Sequence, residues 1–184
     1  MKNLLPDIPK TFKGIVLLAS PSLNDSIFSH SCILIYKESD QAHEGFILNK
    51  PTNKKVSDLI SNTSGKPVGN LPIHIGGPVE QGSLNFFTLN IQNNVLHYKT
   101  FVSIDEANYF SEDPDTLVTP CVGHSSWHKG QLKNECEHYT WFYDLPNEKF
   151  LNQYDQKKLW LKRMNSISPY HSIISKFNGK LSQN

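Results

Sequence analysis

No stretch of this 184-residue chain approaches the roughly 18 consecutive apolar residues that a membrane-spanning helix needs. Neither G-x-x-x-x-G-K-(S/T) nor G-x-G-x-x-G occurs, so nucleotide binding has no motif to rest on. Neither sign of charge dominates: 18 Lys and Arg stand against 17 Asp and Glu, a net charge of +1. A dedicated nucleic-acid binder usually carries a strong basic excess, so that class is disfavoured. Cysteine is scarce and odd in number (Cys32, Cys121, Cys136), with no C-x-x-C pair. The first nine residues hold no continuous apolar run of the signal-peptide kind. Together these features predict reduced thiols in a cytoplasmic protein. Internal repeats and low-complexity linkers are also missing.

What is present is ordinary globular composition, 38% hydrophobic and 19% charged, at a length that suits one domain with its own core. Residues 1–11 read as a loose lead-in broken by Pro6 and Pro9, residues 12–165 as the domain, and residues 166–184 as a weakly structured tail. Strands are predicted at Gly14–Ala19, Ser31–Tyr36, Glu44–Asn49, Ile73–Ile75, Leu84–Leu89, Val95–Phe101 and Leu117–Val122, from apolar runs rich in β-formers. Lys37 to Glu44 reads as a moderately long hairpin loop, and Ser61 to Asn70 as a surface loop. Asn24 or Asp25 is placed to cap a short helical turn. Asn93-Asn94 suits a tight hairpin, and Ser103 with Glu106 forms a capping box. A last helix is expected over Asp155–Met164. Antiparallel hairpins with separated helices predict an α+β domain.

The richest stretch is Val122 to Trp141. It reads as a strand, a polar turn at Gly123-His124-Ser125-Ser126, and after Gly130 an amphipathic helix carrying Leu132, Cys136 and Tyr139. Strand, turn and helix N-terminus in succession often meet a ligand. A Ser125 nucleophile, with His74 or His97 and Asp105 as partners, is one reading. However, Trp127 occupies the place of the final glycine that the G-x-S-x-G elbow requires. Cys121, His124, His128, Cys136 and His138 are metal-ligating types, but their spacing matches no common zinc module, so no metal is expected. Trp127, Trp141 and Trp160 read as core anchors. Lys157, Lys158, Lys162 and Arg163 put four positive charges on one helix, either a solvated face or a phosphate contact.

Four blocks give the chain a resemblance. Leu18-Ala19-Ser20-Pro21-Ser22-Leu23-Asn24-Asp25 with Phe28 is the first, and Glu44-Gly45-Phe46-Ile47-Leu48-Asn49-Lys50-Pro51 the second. Ile75-Gly76-Gly77-Pro78-Val79 is the third. The fourth, Gly123 to Glu135, follows the pattern G-x-x-x-W-x-x-G-Q-L-x-x-E, with Trp141 expected further along the helix. In this order they resemble the AlgH/YqgE-like family of uncharacterised bacterial proteins (UPF0301). The chain departs from the family pattern at His30, His124, Ser125, Ser126 and Lys133. The resemblance implies a strongly bent, mostly antiparallel, partly barrel-like sheet flanked by helices. It also implies no established catalytic activity and no cofactor; members have been described as candidate transcriptional regulators. Its polar turns nominate Ser20, Asp25, Asn49, Lys50, Gly76, Gly77, Gly123, His124, Ser125, Trp127 and Gln131 as ligand-facing residues converging on one groove. The expected partner is an unidentified protein or small molecule, with DNA contact through residues 157–163 as an alternative.

Overall fold

The sheet divides along one long strand, β8 (Leu117–His128). Its first half lies antiparallel to β6 (Val79–Gln92) and parallel to β5 (Pro72–Ile75), while its second half pairs antiparallel with β3 (Ala42–Ile47). The computed structural model describes residues 8–146 and 158–167. The remaining strands are β1 (Val16–Ala19), β2 (Cys32–Glu38), β4 (Pro51–Lys55), β7 (Val95–Thr100) and β9 (Trp141–Asp144). The main path runs β4-β5-β8-β3-β2-β1-β9, and β6 carries β7 off β8. The nine-stranded sheet is mixed and open. Helices α1 (Val56–Leu59), α2 (Ile104–Phe110), α3 (Gln131–Glu137) and α4 (Leu159–Ile167) flank it, making a single α+β domain.

Continuous apolar runs in β1 and β2 have a physical cause: both faces of these strands are covered. Val16, Leu18, Leu34 and Phe46 face one cluster, which α4 closes with Leu159, Trp160 and Met164. Leu17, Ile33, Ile35 and Ile47 face the other, packed with Phe12, Trp127, Leu132 and Trp141. Each such side chain contributes on the order of 2 kcal/mol by leaving water. A third cluster, with Val56, Val68, Ile73, Phe86 and Val118, lies under α1 and α2.

Local signals hold where local chemistry decides. Asn93 and Asn94 take φ of 52° and 60° and close the β6–β7 hairpin in two residues. Ser103 and Glu106 cap α2 reciprocally. Asp25 accepts the backbone N–H groups of Ile27 and Phe28, both at 2.7 Å, and so caps the expected turn.

Several expectations are corrected. The β2–β3 loop is only Ser39 to Gln41, because Lys37, Glu38 and Glu44 are strand residues paired across the hairpin. Residues 51–55, outside the predicted strands, form an edge strand, β4, where Pro51 needs no ladder donor on its open side. Residues 61–70 are not simply a surface loop: they form two 3-10 turns that bury Thr63, Val68 and Gly69. Most consequentially, β8 does not turn at 123–126. Gly123, at φ 70°, stays within the strand opposite the irregular stretch of β6 between Val79 and Leu84, and Ser125 and Ser126 pair with Gly45 and Glu44. Trp141 is likewise not on α3. The helix ends at Glu137, Tyr139 reverses the chain at φ 59°, and Trp141 opens β9 opposite Ala19. The final helix runs to Ile167. The part of it expected at 155–157, and residues 168–184 of the expected tail, lie outside the described residues.

Candidate functional site

Most of the nominated residues fall into three groups. The first forms around the turn before β2. Asn49 sits at the end of β3 and bridges the chain, its Oδ1 accepting from Cys32 N at 2.8 Å and its Nδ2 donating to His30 O at 2.9 Å. Lys50 Nζ donates to Ser29 O at 2.7 Å. Two consecutive carbonyls are therefore held by two consecutive side chains, and His30 between them is left-handed at φ 57°. Its ring stands edge-on to Trp160, with centroids 4.4 Å apart, and its Nδ1 lies 2.9 Å from Ser29 Oγ. Lys50 is partly buried, and among the described residues no carboxylate comes within ion-pair distance of it. Burial holds its ammonium below the ordinary lysine pKa, with Cys32 and Asp25 acting in the other direction. Burial, reinforced by the Lys50 charge, likewise lowers the His30 imidazole.

The second group is a backbone crossing. Gly76 slots between β3 and β8: its carbonyl accepts from Ile47 N at 2.9 Å and its N–H donates to Val122 O at 2.8 Å. A Cβ on Gly76 would lie 2.2 Å from Gly123 O, and one on Gly77 would lie 2.2 Å from the His124 carbonyl carbon. These glycines let two strands touch. Ser125 is fully buried there, its Oγ donating to Gly76 O at 3.3 Å. Mid-strand, bonded to a carbonyl and not to an imidazole, it lacks the exposed strand-to-helix setting of a nucleophile elbow. His124 lies 3.9 Å from Glu80.

Glu135 holds the third group, and it was not nominated from sequence. Its Oε2 accepts from both Trp127 Nε1 (2.9 Å) and Trp141 Nε1 (2.7 Å), and its Oε1 accepts from Gln131 Nε2 (2.8 Å). The two indoles meet edge to face. Hence the spacing from Trp127 through Gln131 to Glu135 is a packing lock at the start of α3.

The groups touch. Lys50 O accepts from Ile75 N, joining the first to the second, and the Phe28 ring packs on Trp127 and Trp141, joining the first to the third. Ser20, buried at the end of β1, donates its N–H to Thr140 O and pairs its hydroxyl with Ser22. Asp25 faces solvent beside Lys50. Ser29, His30 and Trp160 belong to the first group without having been nominated. Recognition of a backbone carbonyl leaves no side-chain signature at Ser29, and Trp160 is distant in sequence.

The remaining chemistry-bearing groups are placed as follows. Burial pushes the Cys121 and Cys136 thiols up to about 12, and raises Cys32 well above the ordinary thiol value. Among the described residues no set of three or more His, Cys, Asp or Glu is grouped to hold a metal. All three tryptophans are buried. Of the basic helix, Arg163 is buried against Asp144, so the charges do not share one solvated face; Lys157 lies outside the described residues. Among the described residues no helix is long and apolar enough to cross a membrane.

Fold and geometry define a single α+β domain on an open mixed sheet, its polar turns tied to one another and its thiols closed off from solvent. The chain belongs to the AlgH-like family, whose sequence profile matches residues 16–171. It is 30% identical over 183 residues to a UPF0301 protein of Chlorobaculum parvum, covering 88% of this chain and 90% of that one. It is 24% identical to UPF0301 protein BF2109 of Bacteroides fragilis, covering 95% and 90%. The crystal structure of protein DIP2367 from Corynebacterium diphtheriae superposes with a TM-score of 0.68 at 22% identity, covering 92% of this chain and 94% of that one. The solution structure of the AlgH protein from Pseudomonas aeruginosa gives 0.62 at 19%, covering 90% and 92%. These structural likenesses speak to the fold alone.

Proposed function

We propose that this chain acts by binding and not by catalysis, in a regulatory role, and that Lys50 meets an anionic group of the bound molecule. The observation that carries the reading is the Lys50 ammonium itself: partly buried, held by a neutral carbonyl, and without a carboxylate in ion-pair reach among the described residues. A cation in that setting is under-compensated, and a carboxylate or phosphate oxygen compensates it with a charge-assisted hydrogen bond. Asn49 and the Asp25 turn supply a fixed frame around it. The chemistry of the other groups supports binding over nucleophilic catalysis. Thiols near pKa 12 are not thiolates at neutral pH, and the Ser125 hydroxyl is spent on Gly76.

The test is a 15N-resolved NMR titration of the whole chain with inorganic phosphate and, separately, acetate. Saturable shifts at the Ser29, His30 and Lys50 amides are expected, lost in Lys50→Met and kept in Lys54→Met. Absence of saturable shifts, or shifts unchanged in Lys50→Met, overturns the anion reading.

A further inference from the structure

The Lys50 group and helix α4 are in direct contact through one residue. Trp160 inserts from α4 under the Ser29-His30 turn, donating Nε1 to Ala19 O at 2.9 Å while its ring takes the edge of His30. The His30 backbone is a left-handed, non-glycine conformation, which costs of order 1 kcal/mol and persists only where the surroundings hold it. It is held by the backbone bond from Ser31 N to Phe28 O at 3.0 Å and by an adjacent pair of side-chain grips, Lys50 on Ser29 O and Asn49 on His30 O. Behind Trp160, α4 is fastened by Leu159 and Met164 in the apolar cluster and by Arg163 on Asp144.

We infer that the Ser29-His30 turn is a conformational relay: a group that draws the Lys50 ammonium away from Ser29 releases His30 from Trp160 and loosens α4 from the sheet. The inference rests on Lys50 being the binding point. The ammonium has three N–H donors and uses one on Ser29 O, so an anion seated on the side away from that carbonyl is what would draw Nζ off it. The strained turn then loses one of the two side-chain grips on its carbonyls. Loosening α4 uncovers the face of β1 and β2 that carries Val16, Leu18 and Leu34. Coupling of this kind is reciprocal, so changes in α4 also move the turn.

The relay is tested without any ligand, by hydrogen exchange on the full chain. Lys50→Met removes one grip. His30→Gly keeps the left-handed backbone and removes only the ring. Both variants are expected to speed exchange of the α4 amides at least about 10-fold relative to the wild type, while the β2 and β3 amides keep their protection. In the reciprocal experiment Trp160→Phe, which deletes the bond to Ala19, is expected to shift the Ser29, His30 and Lys50 amide resonances. Unchanged α4 exchange in both turn variants overturns the relay, as does a uniform loss of protection across sheet and helix. A failed phosphate and acetate titration with a positive exchange result would remove the anion reading and leave the relay standing. The converse pair of results would remove the relay alone.

Discussion

Trp141 Nε1 donates to Glu135 Oε2 at 2.7 Å, and that same oxygen also receives Trp127 Nε1, from a different strand, at 2.9 Å. One carboxylate thus joins β8, α3 and β9. Removing it leaves two largely buried indole N–H groups unpaired, and each unmet donor costs about 1–3 kcal/mol. Glu135→Leu is therefore expected to lower stability by about 2–4 kcal/mol in urea titration. Glu137→Ala, on the exposed side of the same helix, is expected to stay within about 0.5 kcal/mol. Equal effects in the two variants would remove Glu135 from this role.

The crossing of Gly76 over Gly123 makes a sharper steric prediction. In Gly76→Ala the new methyl would lie 2.2 Å from a backbone carbonyl oxygen, where no side chain can move aside, so strands must separate. A loss of about 3 kcal/mol or more is expected. Gly82→Ala meets nothing within 4 Å and lies in a strand with ordinary φ. It is expected to be neutral or slightly stabilising, since alanine restricts the unfolded chain. Thermal unfolding of the two variants side by side checks the contrast.

His74 predicts a pH dependence. It is buried on β5, and burial pulls its pKa down to about 4, partly opposed by a hydrogen bond to the Leu48 backbone; its Nδ1 has no hydrogen-bond partner among the described residues. Between pH 4 and the ordinary value of 6.5 the unfolded chain binds this proton and the folded chain does not. Stability from this residue is therefore fully present above pH 6.5 and falls as pH drops toward 4, by on the order of 3 kcal/mol in total. Chemical denaturation at pH 7.5, 6 and 5 is expected to show that decline, shallower in His74→Gln. An identical slope in the variant would assign the acid sensitivity to other groups.

Much of this fold was legible because its signals are local. Asn93-Asn94 and the Ser103–Glu106 box each specify their geometry within four residues. The stretch Gly123-His124-Ser125-Ser126 misled because its composition is that of a turn, whereas its conformation is decided by β3, about eighty residues away. The same holds for β4, whose polar residues are extended only because β5 pairs with them. At the candidate site, Asn49 and Lys50 could be nominated, while their targets, the carbonyls of Ser29 and His30, could not. Any residue presents a carbonyl. Trp160 read correctly as a core anchor, but its place against His30 is set by packing over 130 residues of sequence.

Arg163 and Asp144 carry the last prediction, because the helix that looked like a basic surface is fastened by one of its own cations. Arg163 is buried and its guanidinium engages Asp144 on β9. Burial raises the Asp144 carboxyl pKa, and Arg163 opposes that shift. Arg163→Met leaves the carboxylate without that cation and is expected to cost about 2–4 kcal/mol, near the low end of buried pairs because Asp144 keeps some solvent contact. Asp144→Leu combined with Arg163→Met removes both charges and is expected to recover most of that loss, since a well-packed apolar pair needs no desolvation. If the double variant is as unstable as the sum of the singles, the two charges act independently and their pairing is not what fastens α4 to β9.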